Sequence, residues 1–431
     1  MRLIRLFLLL IIFSPLELYA SDIPQEHRWS KSEKLLLNSL SIDNVNLDFD
    51  SSNRVVSQAD AVTFGHQLFF EKRFSQNGKI SCASCHHPDK YFTDGLAVAE
   101  GIEKTSRNAP TIVGSSLSTW FFHDGRADSL WSQALGPLEN ELEHGANRSL
   151  VAHTIFNDSI LKKQYEKLFG KMPNIKNITR FPLNAGPVKN KQANQVWKKM
   201  SKSDKKIITD IFVNVAKAIA AYETELQPAA SRFDFYLRAL KKNSIKEMQK
   251  QLSIPEVKGL RVFVSKAKCV ICHSGPMLTD NGFHNISVPP RKLPSGKSLK
   301  HDWGRYKGAQ QVLKSKFNCR SRYNDTPRTG SANACDELEY IVMGRHETQG
   351  SMKTPSLRNV AKTAPYMHAG QFENLQEVIE HYDNPPAVTF RRSELFLNFD
   401  LSKQDIANLE AFLKSLNSPI NAPSKLLVAP K

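Results

Sequence analysis

Cys82-Ala83-Ser84-Cys85-His86 and Cys269-Val270-Ile271-Cys272-His273 repeat one pattern, Cys-x-x-Cys-His, in the two halves of the chain. That spacing is the attachment signature of c-type haem. Each cysteine forms a thioether to a haem vinyl group, and the histidine that follows ligates the iron. A single copy would also suit a redox pair or half a zinc site. Two copies, taking four of the six cysteines, imply two covalent haems: one on Cys82, Cys85 and His86, the other on Cys269, Cys272 and His273.

The N-terminus supports the same reading. Met1-Arg2-Leu3-Ile4-Arg5 is basic, Leu6 to Phe13 is apolar, and Leu18-Tyr19-Ala20 precedes Ser21. This order describes a secretory signal peptide over residues 1–20, with an uncleaved anchor as the alternative. The apolar run is too short to span a bilayer, so no stable membrane span is expected after cleavage. Haem attachment requires an exported compartment where thiols are managed, so a periplasmic protein is expected. The remaining cysteines, Cys319 and Cys335, either pair in that oxidising compartment and close a polar loop or stay as two free thiols.

The formal net charge is +17. The stretch from Lys171 to Lys206 holds nine lysines, one arginine and one aspartate. Export separates the chain from nucleic acid, which removes that class of partner. A solvated basic insertion is one reading. The other is a field that steers an acidic electron-donor or substrate protein.

The pattern along the chain is mostly α, with two cytochrome c-like domains packed face to face and long loops. Residues 21–54 read as a lead-in with one short helix near Ser32 to Leu40. Residues 55–240 read as the first haem domain and 241–420 as the second, with the boundary falling between 228 and 255. An amphipathic helix precedes each motif, at Ala59 to Phe70 and at Pro255 to Val264. Each motif is followed by a Thr-Asp loop, Phe92-Thr93-Asp94-Gly95 or Leu278-Thr279-Asp280-Asn281. Ile207, Ile208, Ile211, Phe212, Val215 and Ile219 form one buried helical face. Ser402 to Asp405 opens a second helix with a capping box, whose stripe is Ile406, Leu409, Leu413 and Leu416. The stretches 170–200 and 284–350 read as surface loops.

Two further runs carry a family resemblance. One is Arg107-Asn108-Ala109-Pro110-Thr111, followed by Phe121-Phe122-His123-Asp124-Gly125-Arg126 and Gln133-Ala134-Leu135-Gly136-Pro137-Leu138-Glu139. The other is Lys353-Thr354-Pro355-Ser356-Leu357-Arg358-Asn359 with Thr363-Ala364-Pro365-Tyr366-Met367-His368-Ala369-Gly370. With the two haem motifs, these resemble the bacterial dihaem cytochrome c peroxidase family, which includes MauG, over residues 58–416. The resemblance implies that the first haem binds hydrogen peroxide and the second transfers electrons.

In ordinary peroxidases of the family a histidine in the loop after the first motif blocks the iron. No histidine lies between Asp89 and Phe122 here, which is the MauG-like, open condition. The carboxylate that assists peroxide cleavage maps to Glu143, with Gln133 nearby. Such a group takes a proton from one peroxide oxygen and delivers it to the other. On the residues alone, Glu143 is one of three acids on a polar loop, with Glu139 and Glu141. The sixth ligand of the second haem is a methionine in the peroxidases and maps here to Tyr382, as in MauG; Met352, Met367 and His381 are the alternatives. A calcium ion between the haems would take the Asn108 side chain and the carbonyls of Thr363 and Pro365, a hard oxygen set.

The chain departs from the family at His123, where a relay tryptophan is usual. Trp120 and Trp131 are close in sequence, and His123 joins Glu143 and Gln133 in the candidate catalytic set. The segment around Cys319 and Cys335 resembles the MauG-like branch that includes MbnH, which oxidises tryptophan on a partner protein. The expected function is a periplasmic oxidoreductase that reacts with hydrogen peroxide at an open haem and exchanges electrons with a protein partner. One rival is a plain cytochrome c peroxidase served by a small cytochrome or copper protein. The other is a non-enzymatic dihaem electron carrier.

Overall fold

The helix that precedes each haem motif crosses the helix that closes its half, and a glycine sits at each crossing. In the computed structural model, which describes residues 24–47, 50–292, 300–326, 335–386, 390, 392–393 and 399–430, helix Ala59–Phe69 packs on helix Lys202–Thr224, and helix Ile254–Arg261 packs on helix Lys403–Ser415. A Cβ on Gly65 would run into the Ala218 carbonyl, and one on Gly259 into the Asn408 carbonyl. Only glycine permits so close an approach of two backbones. Four residues beyond each glycine an aromatic ring seals the crossing. Phe69 meets Tyr222 with ring centroids 5.1 Å apart, and Phe263 meets Phe412 at 5.2 Å. The two halves are therefore one helix-crossing design used twice.

The expected helices form where their caps and stripes place them. Ser201 accepts from the Asp204 amide at the start of Lys202–Thr224. Its buried face includes Ile208, Ile211, Phe212, Val215 and Ile219. Ser402 and Asp405 make the reciprocal capping box. Strands are two residues long: Gln227–Pro228 pairs antiparallel with Ile420–Asn421, and Phe283–His284 with Met352–Lys353. Among the described residues, no helix is long and apolar enough to cross a membrane. The expected signal peptide, residues 1–20, lies outside the described residues.

The packing divides the chain differently from the expected ranges. Helix Lys31–Ser39 is not a separate lead-in: Leu37 and Leu40 enter the core of the second half with Phe233, Tyr236 and Leu260. Helix Arg232–Lys241, placed by sequence at the end of the first domain, belongs to that same core. The tail after the last helix returns to the first half. Leu426 is buried there, and its carbonyl accepts from the Tyr222 hydroxyl at 2.8 Å. The stretches read as loops also hold helices, Lys191–Lys199 and Arg305–Lys314. The first buries only Ala193 and Trp197, too few apolar residues to give a periodic signal.

Polar bolts join the halves. Arg107 chelates Asp302 through Nε and Nη2, both at 2.8 Å, and its Nη1 lies 2.7 Å from Asp124. The Lys353 amide donates to the His123 carbonyl at 2.8 Å. In the second half, buried Arg358 pairs with Asp234 at 2.6 Å and donates to the Leu40 carbonyl at 2.8 Å. Cys319 and Cys335 form a disulfide with Cα atoms 5.5 Å apart, so the pairing reading holds over the free-thiol one. The Cys319 amide donates to Asp128 at 2.7 Å, tying the loop to the first half.

Candidate active site

Each Cys-x-x-Cys-His motif folds as a single 3-10 turn, Cys82–Ser84 or Cys269–Ile271. The amide of His86 donates to the Cys82 carbonyl at 3.0 Å, and that of His273 to the Cys269 carbonyl at 2.8 Å. The imidazoles are then fixed in the same way. Nδ1 of His86 donates to the Phe92 carbonyl at 3.1 Å, and Nδ1 of His273 to the Leu278 carbonyl at 3.0 Å. Phe92 and Leu278 hold φ of 56° and 53°, a left-handed conformation that bulky residues rarely adopt. That turn is what aims each carbonyl back at its histidine. With Nδ1 engaged, Nε2 is the ligand end, as second-shell orientation of a metal-binding histidine requires. Burial lowers the pKa of both rings, which keeps them in the neutral, ligating form.

The four motif cysteines are not disulfide-bonded. Burial pushes the thiols of Cys85 and Cys269 up to about 12. A redox Cys-x-x-Cys pair works through a lowered thiol pKa, so these surroundings do not suit one. Both motifs open on one cavity of about 1210 Å³, larger than the roughly 300–1,000 Å³ of a single-ligand pocket. Two thiols outside any disulfide and an oriented imidazole in each motif, beside one shared cavity, fit two covalent haems.

Glu143, Gln133, His123, Tyr382, Asn108, Thr363 and Pro365 all line this cavity. The three acids of the 139–143 loop have distinct surroundings. Glu139 is paired with Arg148 at 2.9 Å, and Glu141 with Lys189 on the surface at 2.7 Å. Glu143 is turned inward, and Asn140 Nδ2 donates to its Oε1 at 2.6 Å. Burial raises its pKa, with Arg126 and the Asn140 bond opposing. Its backbone is pinned by Ile102, whose amide donates to the Glu143 carbonyl at 3.0 Å. A side chain at Gly101 would meet that same backbone. Gln133 projects from helix Leu130–Glu139, whose N-cap is Ser129.

Tyr382 lies on helix Leu375–Asp383. Burial raises its pKa, and the sulfurs of Cys269 and Cys272 add to the effect, which places the phenol beside the second motif. Its neighbour His381 points elsewhere, with Nε2 donating to the Ile286 carbonyl at 2.8 Å. Met352 and Met367 also line the cavity.

His123 stands at the junction of the halves, with Nε2 donating to the Asn108 carbonyl at 3.2 Å. Burial, with Arg107 adding, pushes its pKa down to about 3, so the ring is neutral. The Asn108 amide nitrogen donates to the Leu96 carbonyl at 2.6 Å, which leaves the side-chain oxygen as the end suited to a cation. Trp120 lines the cavity beneath Arg305, whose guanidinium is 4.1 Å from the ring. Trp131 instead serves the first core, donating to Ser52 at 2.8 Å.

Sequence reasoning missed three features. Arg126 lies 3.5 Å over the Phe122 ring at the cavity wall. His144 is 4 % exposed, with neither ring nitrogen hydrogen-bonded. Glu223 is a buried carboxyl that burial raises to about 8 and that acts electrostatically on Cys82. Only Glu223, at the C-terminal end of the buried face of helix Lys202–Thr224, left a signal that could have been read.

Residues 59–242 match the di-haem cytochrome c peroxidase family. Cytochrome-c peroxidase IdrP1 of Pseudomonas sp. (strain SCT) is 27% identical over 83% of this chain and 81% of its own length. Cytochrome c551 peroxidase of Pseudomonas aeruginosa is 28% identical over 82% and 77%. Methylamine utilization protein MauG of Methylorubrum extorquens is 26% identical over 83% and 78%. The fold is similar to the diheme peroxidase BthA from Burkholderia thailandensis, with a TM-score of 0.59 and 21% identity over 84% of this chain and 86% of that one. It is also similar to a MauG-like protein associated with microbial copper homeostasis, with a TM-score of 0.56 and 24% identity over 86% and 92%. The repeated motif, the duplicated helix crossing and the shared cavity thus agree with relatives found by sequence and by fold. The chain is an oxidoreductase acting on hydrogen peroxide, similar along most of its length to cytochrome c peroxidases and MauG, and the di-haem family that residues 59–242 match implies two haems.

Proposed function

We propose that hydrogen peroxide is reduced at the first haem, against the wall formed by Glu143 and Gln133, and that the second haem, held by His273 and Tyr382, exchanges electrons with a protein partner. The observation that carries this reading is the buried carboxyl of Glu143 in the cavity that both motifs share, where the other lining carboxylates, Asp124 and Asp302, are paired with Arg107. When bound, the haems supply the two electrons that break the oxygen–oxygen bond. Two protons complete the conversion of peroxide to two waters.

Glu143 handles the proton that must change oxygens. Its Oε1 is held by Asn140, so Oε2 takes the proton from one peroxide oxygen and returns it to the departing one. A raised pKa makes both transfers accessible near neutral pH. The Gln133 amide orients the peroxide by donating and accepting hydrogen bonds. The absence of a histidine between Asp89 and Phe122 leaves the first iron open. Neutral His123 spans the junction between the halves. Asn108, Thr363 and Pro365 supply oxygens for a calcium ion there.

Within the basic stretch, Arg180 pairs with Asp204 and Lys189 with Glu141, and the excess lysines favour an acidic partner protein. The protein works in the periplasm, to which residues 1–20 deliver it. Electron paramagnetic resonance of the ferric holoprotein tests the reading. One high-spin and one low-spin haem are expected. Two six-coordinate low-spin haems would favour an electron carrier and contradict the open site.

A further inference from the structure

A second cavity, of about 480 Å³, adjoins the first. Phe122, Arg126, Lys307 and Gln311 line both cavities, so these four side chains are a common wall. Lys314, which lines only the second cavity, is exposed, so that cavity reaches the protein surface. It lies between helix Leu130–Glu139 of the first half and helix Arg305–Lys314.

The wall is one side chain thick. The Arg126 guanidinium covers the Phe122 ring at 3.5 Å and is held by Asp124 at 3.0 Å. Its side chain is 28% exposed, and its charge is felt by Glu143. Phe122 has a φ of 64°, a conformation that aromatic residues rarely adopt and that clusters at functional sites. On its other side the ring is gripped by helix Leu130–Glu139: a Cβ on Gly136 would come within 3.2 Å of the Phe122 ring. A side chain at Gly136 would press the ring to shift by a few tenths of an ångström.

We infer that the second cavity is the entry passage to the site that Glu143 faces, with Arg126 stacked on Phe122 as its gate. Outside the wall, with its Arg126 and Lys307, the passage carries Lys314 and Glu139, and the Glu139 carboxylate is already taken by Arg148. A small neutral oxidant passes such a mouth, cations are repelled, and a protein cannot enter. Peroxide and the protein partner therefore reach the molecule by separate routes. The inference rests on the proposed reaction at the first haem, and its test does not need that reaction.

Carbon monoxide is the probe, because it is neutral and binds reduced haem without peroxide chemistry. Flash photolysis of the fully reduced holoprotein reads its association and dissociation. Ser132 and Ser315 line only the second cavity, so Ser132→Trp or Ser315→Trp plugs the passage and leaves the haem cavity untouched. Either plug is expected to slow association about tenfold or more, as gating steps do. Dissociation should slow by the same factor, because a gate changes both rates and leaves affinity alone. Phe122→Ala should speed both. Unchanged rates in both plugged proteins, at native haem content, would overturn the passage. A change in affinity without matched rates would overturn the gate. If carbon monoxide obeys the gate while peroxide does not react, the proposed reaction fails and the passage stands.

Discussion

Replacing Glu143 by glutamine is expected to slow the reaction of the ferric holoprotein with peroxide by on the order of a hundredfold or more, the usual cost of losing a general acid–base. Glutamine keeps the shape and the bond to Asn140 but cannot carry the proton. Haem content and resting spectra should not change. The pH profile supplies a second readout. Burial raises the Glu143 pKa above the ordinary 4.5. As a base, the group works when deprotonated, so the wild-type rate should fall as pH drops through a value above 4.5. Glu143→Gln should lack that limb. An unchanged rate, measured by stopped flow across pH, would exclude Glu143 as the proton carrier.

Tyr382→Met is expected to raise the reduction potential of the second haem and to abolish oxidation of a protein partner. A phenolate is a hard anionic donor that favours ferric iron, whereas a thioether favours ferrous iron. The first haem keeps His86 and Glu143, so its reaction with peroxide should survive. A redox titration of wild type and variant, with electron paramagnetic resonance of the low-spin signal, reads the change. If neither potential nor signal moves, Tyr382 only packs near the second motif. One of the methionines that share the cavity, Met352 or Met367, would then take its place.

The two Cys-x-x-Cys-His motifs and the capped helices were legible in the sequence because each signal is local. The helix crossing was not. Gly65 with Phe69 and Gly259 with Phe263 share one spacing, but the distances from these pairs to Cys82 and Cys269 differ, which hides the repeat from a register-by-register reading. The units were misjudged for a related reason. Leu37 and Leu40 bury against Phe233 and Tyr236, far along the chain, and Leu426 returns to the first core. No periodicity reports such partners.

At the site, the family resemblance selected Glu143, and burial now distinguishes it from Glu139 and Glu141, whose cations sit at Arg148 and Lys189. The second cavity left no trace in the sequence, since its wall joins residues 122–139 to residues 307–317.

Stopped-flow mixing of the all-ferric holoprotein with hydrogen peroxide, without any reductant, tests the central claim most directly. With no histidine between Asp89 and Phe122, the proposed function has the first iron open in the resting state. The Soret band should therefore change on mixing. A reaction that begins only after one haem has been reduced would reveal a blocking ligand and contradict the account.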